Sequence, residues 1–313
     1  SFAGREALYR VRTADGLAWL RTLGPITFVH GDVRLAGDVE RVVGEVVPDV
    51  LFHLAGQVAM TTSLANPRRD FETNALGSFN VLDAVRRHAP KAAVLYSSTN
   101  KVYGDLEDLA YAEKSTRWVA TDFPEGFPES LPLDFRTPYG TSKGSADQLM
   151  LDHHRCFGLR TTVFRHSSIY GGRQFATYDQ GWIGWFCDRA VRQAAGDRTP
   201  STISGDGKQV RDLLHAEDMV RLYFGAAEQI DRVAGRPFNV GGGMGNSLSL
   251  LELLALLEEL LDVFLVWERL PPRSSDQKVF VANTRALAEA IGWVPQVGAR
   301  EGLTRMIAWI RER

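Results

Sequence analysis

The sequence predicts an α/β fold built on a doubly wound parallel sheet, followed by a smaller C-terminal α/β lobe. Three observations predict it. Short apolar runs of strand length alternate with segments of helical length. One such run, residues 50–54, is apolar except for His53, as expected of a strand covered on both sheet faces. Hydroxyl and glycine residues follow directly after these runs, where open α/β sheets place their ligands.

Taken in order, residues 26–30 read as a strand and 39–47 as a helix. Residues 50–54 form the second strand. Residues 71–88 form a long helix closed by Pro90, and 92–97 a third strand. The stretch 104–137 is long, polar and Pro-containing, and loops of that length in compact domains often carry function. Residues 140–157 form a second long helix, stopped by Gly158, and 160–166 the fourth strand. Beyond Ser168 the rhythm changes to a helix at 180–195, a strand at 201–204, a helix at 217–229, a strand at 238–240 and a helix at 250–261. An amphipathic helix at 300–313 ends the chain. The expected division is a nucleotide-binding domain over 1–168, joined in part by 206–240, and mainly a substrate lobe over 169–313.

The 313 residues carry a net charge of −2, so no bulk basicity points to nucleic acid or to an anionic membrane. Any anionic ligand must be held by a few placed cations. Cys156 and Cys187 form neither a disulfide framework nor a Cys-x-x-Cys metal spacing, and read as two ordinary core or near-core thiols with no metal. No apolar run approaches a membrane span, and the first residues are not signal-like, so a cytoplasmic location is expected.

A nucleotide-binding sheet normally opens with a strand and a Gly-rich turn that holds the cofactor pyrophosphate at a helix N-terminus. Residues 1–25 contain no such turn. Without that central unit, neighbouring strands would expose core and unpaired edges. The expectation is a native N-terminal piece of roughly 30 or more residues ahead of Ser1, the size of a βαβ element. The glycine run at 241–245 lacks the Gly-x-Gly-x-x-Gly spacing and reads as a loop before the 250–261 helix.

The chemistry centres on Tyr139-Gly-Thr-Ser-Lys143, at a helix start after Thr137-Pro138. Spacing of four residues puts the phenol and the ammonium on one helix face. A free tyrosine has a pKa of about 10, and a nearby cation favours its phenolate. Such a group can accept a hydroxyl proton while the carbon gives hydride to a nicotinamide. Tyr-x-x-x-Lys alone recurs by chance as a surface pair. Its context is the strand 92–97 running into Ser98-Thr99-Asn100-Lys101. Thr99 stands just past a strand end, able to share the substrate oxygen with Tyr139. His53-Leu-Ala-Gly-Gln57 also ends a strand, and Gly56 admits a close ligand. Asn74 is polar within an apolar stretch. Asp32, after the first strand, is able to accept from an adenine amine. A turn or helix cap accounts for each of these last three equally well.

Together these phrases resemble the extended short-chain dehydrogenases/reductases, the NAD-dependent epimerase/dehydratase family, from about Trp19 to the C-terminus. The phrases are HLAGQVAMTTS (53–63), YSSTNKVYGDL (96–106), PLDFRTPYGTSKGSADQ (132–148), FRHSSIYGGRQFATYDQGWIGW (164–185) and FNVGGG (238–243). In finer detail STNKVYG and GGRQFATYDQGWIGWF resemble the branch that epimerises C2 of CDP-3,6-dideoxyhexoses. The resemblance implies a Rossmann-type fold with NAD as cofactor. It implies catalytic roles for Thr99, Tyr139 and Lys143. It implies cofactor contacts at Asp32, Val33, Leu54, Ala55, Gly56, Asn74, Ser97, Tyr139 and Lys143, with His166 and Ser167 beside the nicotinamide amide. The 205–211 stretch resembles the family's nucleotide-diphosphate loop. Arg211 is then the expected diphosphate partner and Arg273 a second, guanidinium forks suiting phosphate oxygens. Asn100, Ser168 and Gln174 are expected beside the substrate. Gln174, Tyr178 and Trp182 shape the nucleotide pocket or, equally, lobe core. Pairing into a homodimer or homotetramer through helices 71–88 and 140–157 is a further implication.

One scaffold hosts several reactions, so the site must choose among them. The family's 4,6-dehydratases carry an Asp-Glu pair directly after the catalytic threonine. Here Asn100-Lys101 stands there and cannot supply that acid and base. Epimerisation of a nucleotide sugar, CDP-linked by resemblance, is the favoured reading. A 4-epimerase or other short-chain dehydrogenase acting on another nucleotide sugar is the enzyme alternative. A non-catalytic, cofactor-sensing protein on the same fold is the alternative outside enzymes.

Overall fold

The computed structural model describes residues 16–177, 180–272 and 276–313. The first half runs α1 (Ala36–Val46), β1 (Val50–His53), α2 (Met60–Ala65), α3 (Pro67–Phe71), a π-turn (Glu72–Leu76), α4 (Gly77–His88), β2 (Ala93–Thr99), a 3-10 turn (Asn100–Tyr103), β3 (Tyr111–Glu113), β4 (Trp118–Ala120), α5 (Thr137–Phe157) and β5 (Arg160–His166). The second runs β6 (Ser168–Tyr170), α6 (Trp182–Ala194), β7 (Ser201–Ser204), β8 (Val210–His215), α7 (Ala216–Glu228), α8 (Ile230–Val233), β9 (Pro237–Val240), β10 (Ser247–Ser249), α9 (Leu250–Leu261), β11 (Trp267–Leu270), β12 (Val279–Phe280), α10 (Arg285–Ile291) and α11 (Ala299–Glu312).

The parallel sheet has the order β1-β2-β5-β9. Successive side chains point to opposite faces. Val94 and Tyr96 therefore enter a core shared with α1, α4 and α5, while Ala93 and Leu95 enter a second core with α7, α8 and α10. A smaller mixed sheet forms around β8, which pairs antiparallel with β10 and parallel with β12 and β6. It packs against α6, α9 and α11. No helix among the described residues is long and apolar enough to cross a membrane.

Several expectations need correction. Residues 26–30 are not a strand: among the described residues they have no ladder partner, and Phe28 is 53 % exposed. An apolar run becomes a strand only where a neighbour takes its backbone groups. For the same reason residues 50–54 are not covered on both faces, and Leu54 is 55 % exposed beside the open edge of β1. The stretch 104–137 is not a bare loop. It contains the β3–β4 hairpin and buries Phe127 against Phe280. Cys187 is buried, but Cys156 is exposed near the end of α5. The helix expected at 71–88 starts earlier, at Pro67, and passes through the π-turn that carries Asn74.

Helix α5 is tied to β5 by a buried ion pair. Arg165 donates through Nε and Nη2 to both Asp147 oxygens, each at 2.9 Å, and Ser98 Oγ adds a third bond at 2.8 Å. Asp147 is 0 % and Arg165 2 % exposed. Removing one partner leaves a buried charge without compensation. Asp147→Ala is therefore expected to lower the unfolding free energy by about 3–5 kcal/mol. Asp83→Ala, in an exposed pair with Arg86 and Arg87, should cost at most about 1 kcal/mol. Urea denaturation midpoints for the two variants check the contrast.

Candidate active site

Three parallel strands end together. His53, Thr99 and His166 close β1, β2 and β5 at one edge of the sheet. Helix α5 begins at that edge, with Pro138 in its first turn, where a missing N–H costs nothing. Thr137 holds φ at +64°, a left-handed value rare for a β-branched residue, two positions before Tyr139. Tyr139 and Lys143 then stand one turn apart.

The Thr99 side chain stands near enough to the Tyr139 phenol to favour its ionised form. The Lys143 ammonium donates to the Ser97 carbonyl and lies 4.3 Å from the centroid of the Tyr96 ring. The three residues expected to carry catalysis thus meet at the strand ends. Burial pushes the Tyr139 phenol up to about 12; the nearby Thr99 side chain opposes this and the Asp70 charge adds to it. Burial draws Lys143 down to about 7, against the pull of Asp147 and Asp70. His53 and His166 are both held near 3, first by burial and then by the Lys143 charge, so neutral imidazoles flank the ammonium.

The remaining cofactor candidates line the same edge. A side chain at Gly56 would stand 3.0 Å from Asn74 Oδ1 and 3.8 Å from Lys143 Nζ, so the bare glycine lets the loop after β1 pack closely on both. Leu54 and Ala55 precede it and are exposed. The Asn74 amide binds the Gln57 backbone at 2.8 and 3.0 Å and Ser142 Oγ at 3.0 Å, which clamps that loop rather than leaving its donors free. His166 Nε2 is 2.9 Å from the Tyr223 hydroxyl, and its Nδ1 is buried without a protein partner. Ser167 Oγ donates to the Asp212 carbonyl at 3.3 Å. Val33 is fixed by Asn80, which donates to its carbonyl at 2.8 Å. The Asp32 carboxylate is gripped by Arg34, whose hydrogen bonds hold it at about 2. An orphaned buried nitrogen, His166 Nδ1, beside the Tyr–Lys pair fits the nicotinamide half of NAD.

A second cavity of about 150 Å³ opens in the C-terminal lobe between Trp182, Trp185, Phe186 and Leu250, with Arg211 and Asp276 at its polar side. Arg211 Nη2 donates to Asp276 Oδ1 at 2.7 Å. Trp182 Nε1 donates to Ser168 Oγ at 3.0 Å. Gln174 Nε2 donates to the Ile169 carbonyl at 3.0 Å, leaving Oε1 buried without a partner. Arg273 and Tyr178 lie outside the described residues. Gln277 joins the two subsites: it accepts from Asn100 Nδ2 at 2.9 Å and donates to the Gly104 carbonyl at 2.6 Å. Since Gly104 O can only accept, Gln277 must present its oxygen to Asn100. The Asn100 oxygen then faces Thr99, 3.4 Å away. Sequence reasoning missed Gln277, Tyr223 and Asp70. None stands in a motif spacing, although Ser142 inside Tyr-x-x-Ser-Lys was a usable signal.

Against known proteins, residues 5–241 match the model of the NAD dependent epimerase/dehydratase family. The chain is 55% identical over 304 residues to CDP-paratose 2-epimerase of Salmonella typhi, covering 97% of this chain and 90% of that one. A UDP-glucose 4-epimerase structure from Thermotoga maritima, solved with UDP-glucose, superposes with a TM-score of 0.78 at 27% identity, over 91% of this chain and 84% of the other. A dTDP-glucose 4,6-dehydratase from Streptomyces venezuelae, solved with NAD, does so with 0.78 at 26%, over 96% and 84%. A shared parallel sheet, with Thr99, Tyr139 and Lys143 meeting at its carboxyl edge, agrees with this likeness in fold and sequence, and the chain belongs to the NAD dependent epimerase/dehydratase family.

Proposed function

We propose that this chain is an NAD-dependent nucleotide-sugar epimerase that inverts C2 of a CDP-3,6-dideoxyhexose through a transient keto-sugar. The observation that carries the reading is the Thr99–Tyr139–Lys143 set beside Asn100, where a dehydratase would need a carboxylic acid. The 55% identity to a 2-epimerase of CDP-paratose supports this carbon and this nucleotide. The 4-epimerase likeness is far lower, at 27%. The complete Thr–Tyr–Lys set disfavours a non-catalytic sensor.

His166 and Lys143 would hold the nicotinamide of NAD, which when bound would supply the hydride acceptor and then the donor. Tyr139 takes the proton of the sugar hydroxyl, with Lys143 stabilising the phenolate. Thr99 donates to the same sugar oxygen and carries part of its charge. Arg211 grips the diphosphate while the keto-sugar turns, so the second face meets the same Tyr139, which returns the proton. We assign cofactor binding to residues 1–168 with part of 206–240, and sugar-nucleotide binding mainly to 169–313.

We also propose that two copies pair through α4 and α5. A shallow apolar groove between these helices is lined by Phe71, Leu76, Phe79 and Leu149, and Phe71 is 51 % exposed. Exposed aromatic faces of this kind mark protein contacts more often than solvent surface.

Three outcomes are expected. Tyr139→Phe should lower epimer formation by about 10²–10⁴-fold, followed by NMR of a CDP-sugar, with CDP binding unchanged. UDP- and dTDP-sugars in the same assay identify a 4-epimerase if one of them is inverted instead. Arg211→Met should weaken CDP binding by about 1.5–3 kcal/mol in isothermal titration calorimetry. Phe79→Glu should convert a dimer to monomer in light scattering, and a wild-type monomer would end the pairing proposal.

A further inference from the structure

Four side chains from three segments meet beneath the first turn of α5. Asp70, on α3, is 1 % exposed. Its Oδ2 accepts from Ser142 Oγ at 2.5 Å and its Oδ1 from Gln57 Nε2 at 2.6 Å, with Asn74 Nδ2 at 3.5 Å. All three donors are neutral. Among the described residues no ion pair reaches Asp70. A carboxylate buried without a contacting cation is costly unless a charge nearby compensates it.

Lys143 is the cation next to this cluster. It follows Ser142 directly, and its Nζ shares the surroundings of Gly56 with Asn74. The groups facing it are Tyr139 and Asp147 from its own helix, His53 from β1, Tyr96 from β2, His166 from β5 and Asp70 from α3. Only Asp147 and Asp70 bring negative charge. Asp147 is already matched by Arg165 in a two-pronged pair. Asp70 has no such match.

We infer that Asp70 is a positioning residue whose buried negative charge, clamped by Gln57 and Ser142, favours the ammonium form of Lys143 against burial. The same charge acts on the Tyr139 phenol. It works on both members in one direction: with Asp147 it lifts Lys143 against burial, and it raises Tyr139 further. Removing it therefore moves both ionisations to lower pH. The role of the Tyr139–Lys143 pair in catalysis rests on the function proposed above; the charge coupling does not.

The test reads Lys143 directly. The chain has six lysines, so ε-¹³C-lysine NMR gives few signals, and the one lost in Lys143→Arg is assigned. On the full chain with NAD added, the wild-type midpoint should lie well below an ordinary lysine. Asp70→Asn should lower it by about one pH unit. Ser142→Ala keeps the charge and removes one clamp, and should leave the midpoint in place. Asp70→Ser gives the same reading if the Asn variant does not fold. An unmoved midpoint without the Asp70 charge, or an equal shift in Ser142→Ala, overturns the inference. In active enzyme, the alkaline limb of the rate profile should fall at lower pH in Asp70→Asn. A shifted midpoint in protein that epimerises nothing would refute the proposed function and leave the charge coupling standing.

Discussion

Helix α5 carries Tyr139, Ser142 and Lys143 within little more than one turn, and that turn is useful only while it lies against the ends of β2 and β5. The Asp147–Arg165 pair keeps it there. Arg165 also donates to the Tyr103 hydroxyl, which in turn donates to Asn239 on β9. One buried guanidinium therefore fixes the helix, the turn after β2 and the last strand of the sheet relative to one another. A guanidinium can do this because its planar fork meets several acceptors at once, which a lysine cannot.

Burial works against both reacting groups. It holds the Tyr139 proton on and pushes the Lys143 proton off, the reverse of what proton abstraction needs. The surroundings oppose this in part: the Thr99 side chain eases the phenolate, and the carboxylates at 147 and 70 favour the ammonium. Neutral His53 and His166 add no competing charge.

The two subsites communicate through consecutive residues. Asp276 holds Arg211 and its neighbour Gln277 holds Asn100, next to Thr99.

Much of this was legible in the chain itself. Alternating apolar runs and helices announced the parallel sheet, and the strands at 160–166 and 201–204 and the helix at 250–261 matched their expected bounds. Residues 26–30 did not, because strand formation depends on a neighbour that periodicity cannot supply. Strands β6, β8, β10 and β12 went unread for the related reason that they are short and pair across distant segments. At the site, Thr99, Tyr139 and Lys143 were identifiable from spacing and strand ends, since local geometry sets a helix face and a strand terminus. Asp70, Gln277 and Tyr223 were not, because what makes them matter is a hydrogen bond or a charge reaching across many residues of chain. The sequence by itself determined the Tyr139–Lys143 spacing, the strand end at Thr99 and the sheet that brings them together. Only the tertiary structure decided which buried charges surround those groups, because electrostatic influence depends on distance through space and on exclusion of water, neither of which is written in the order of residues.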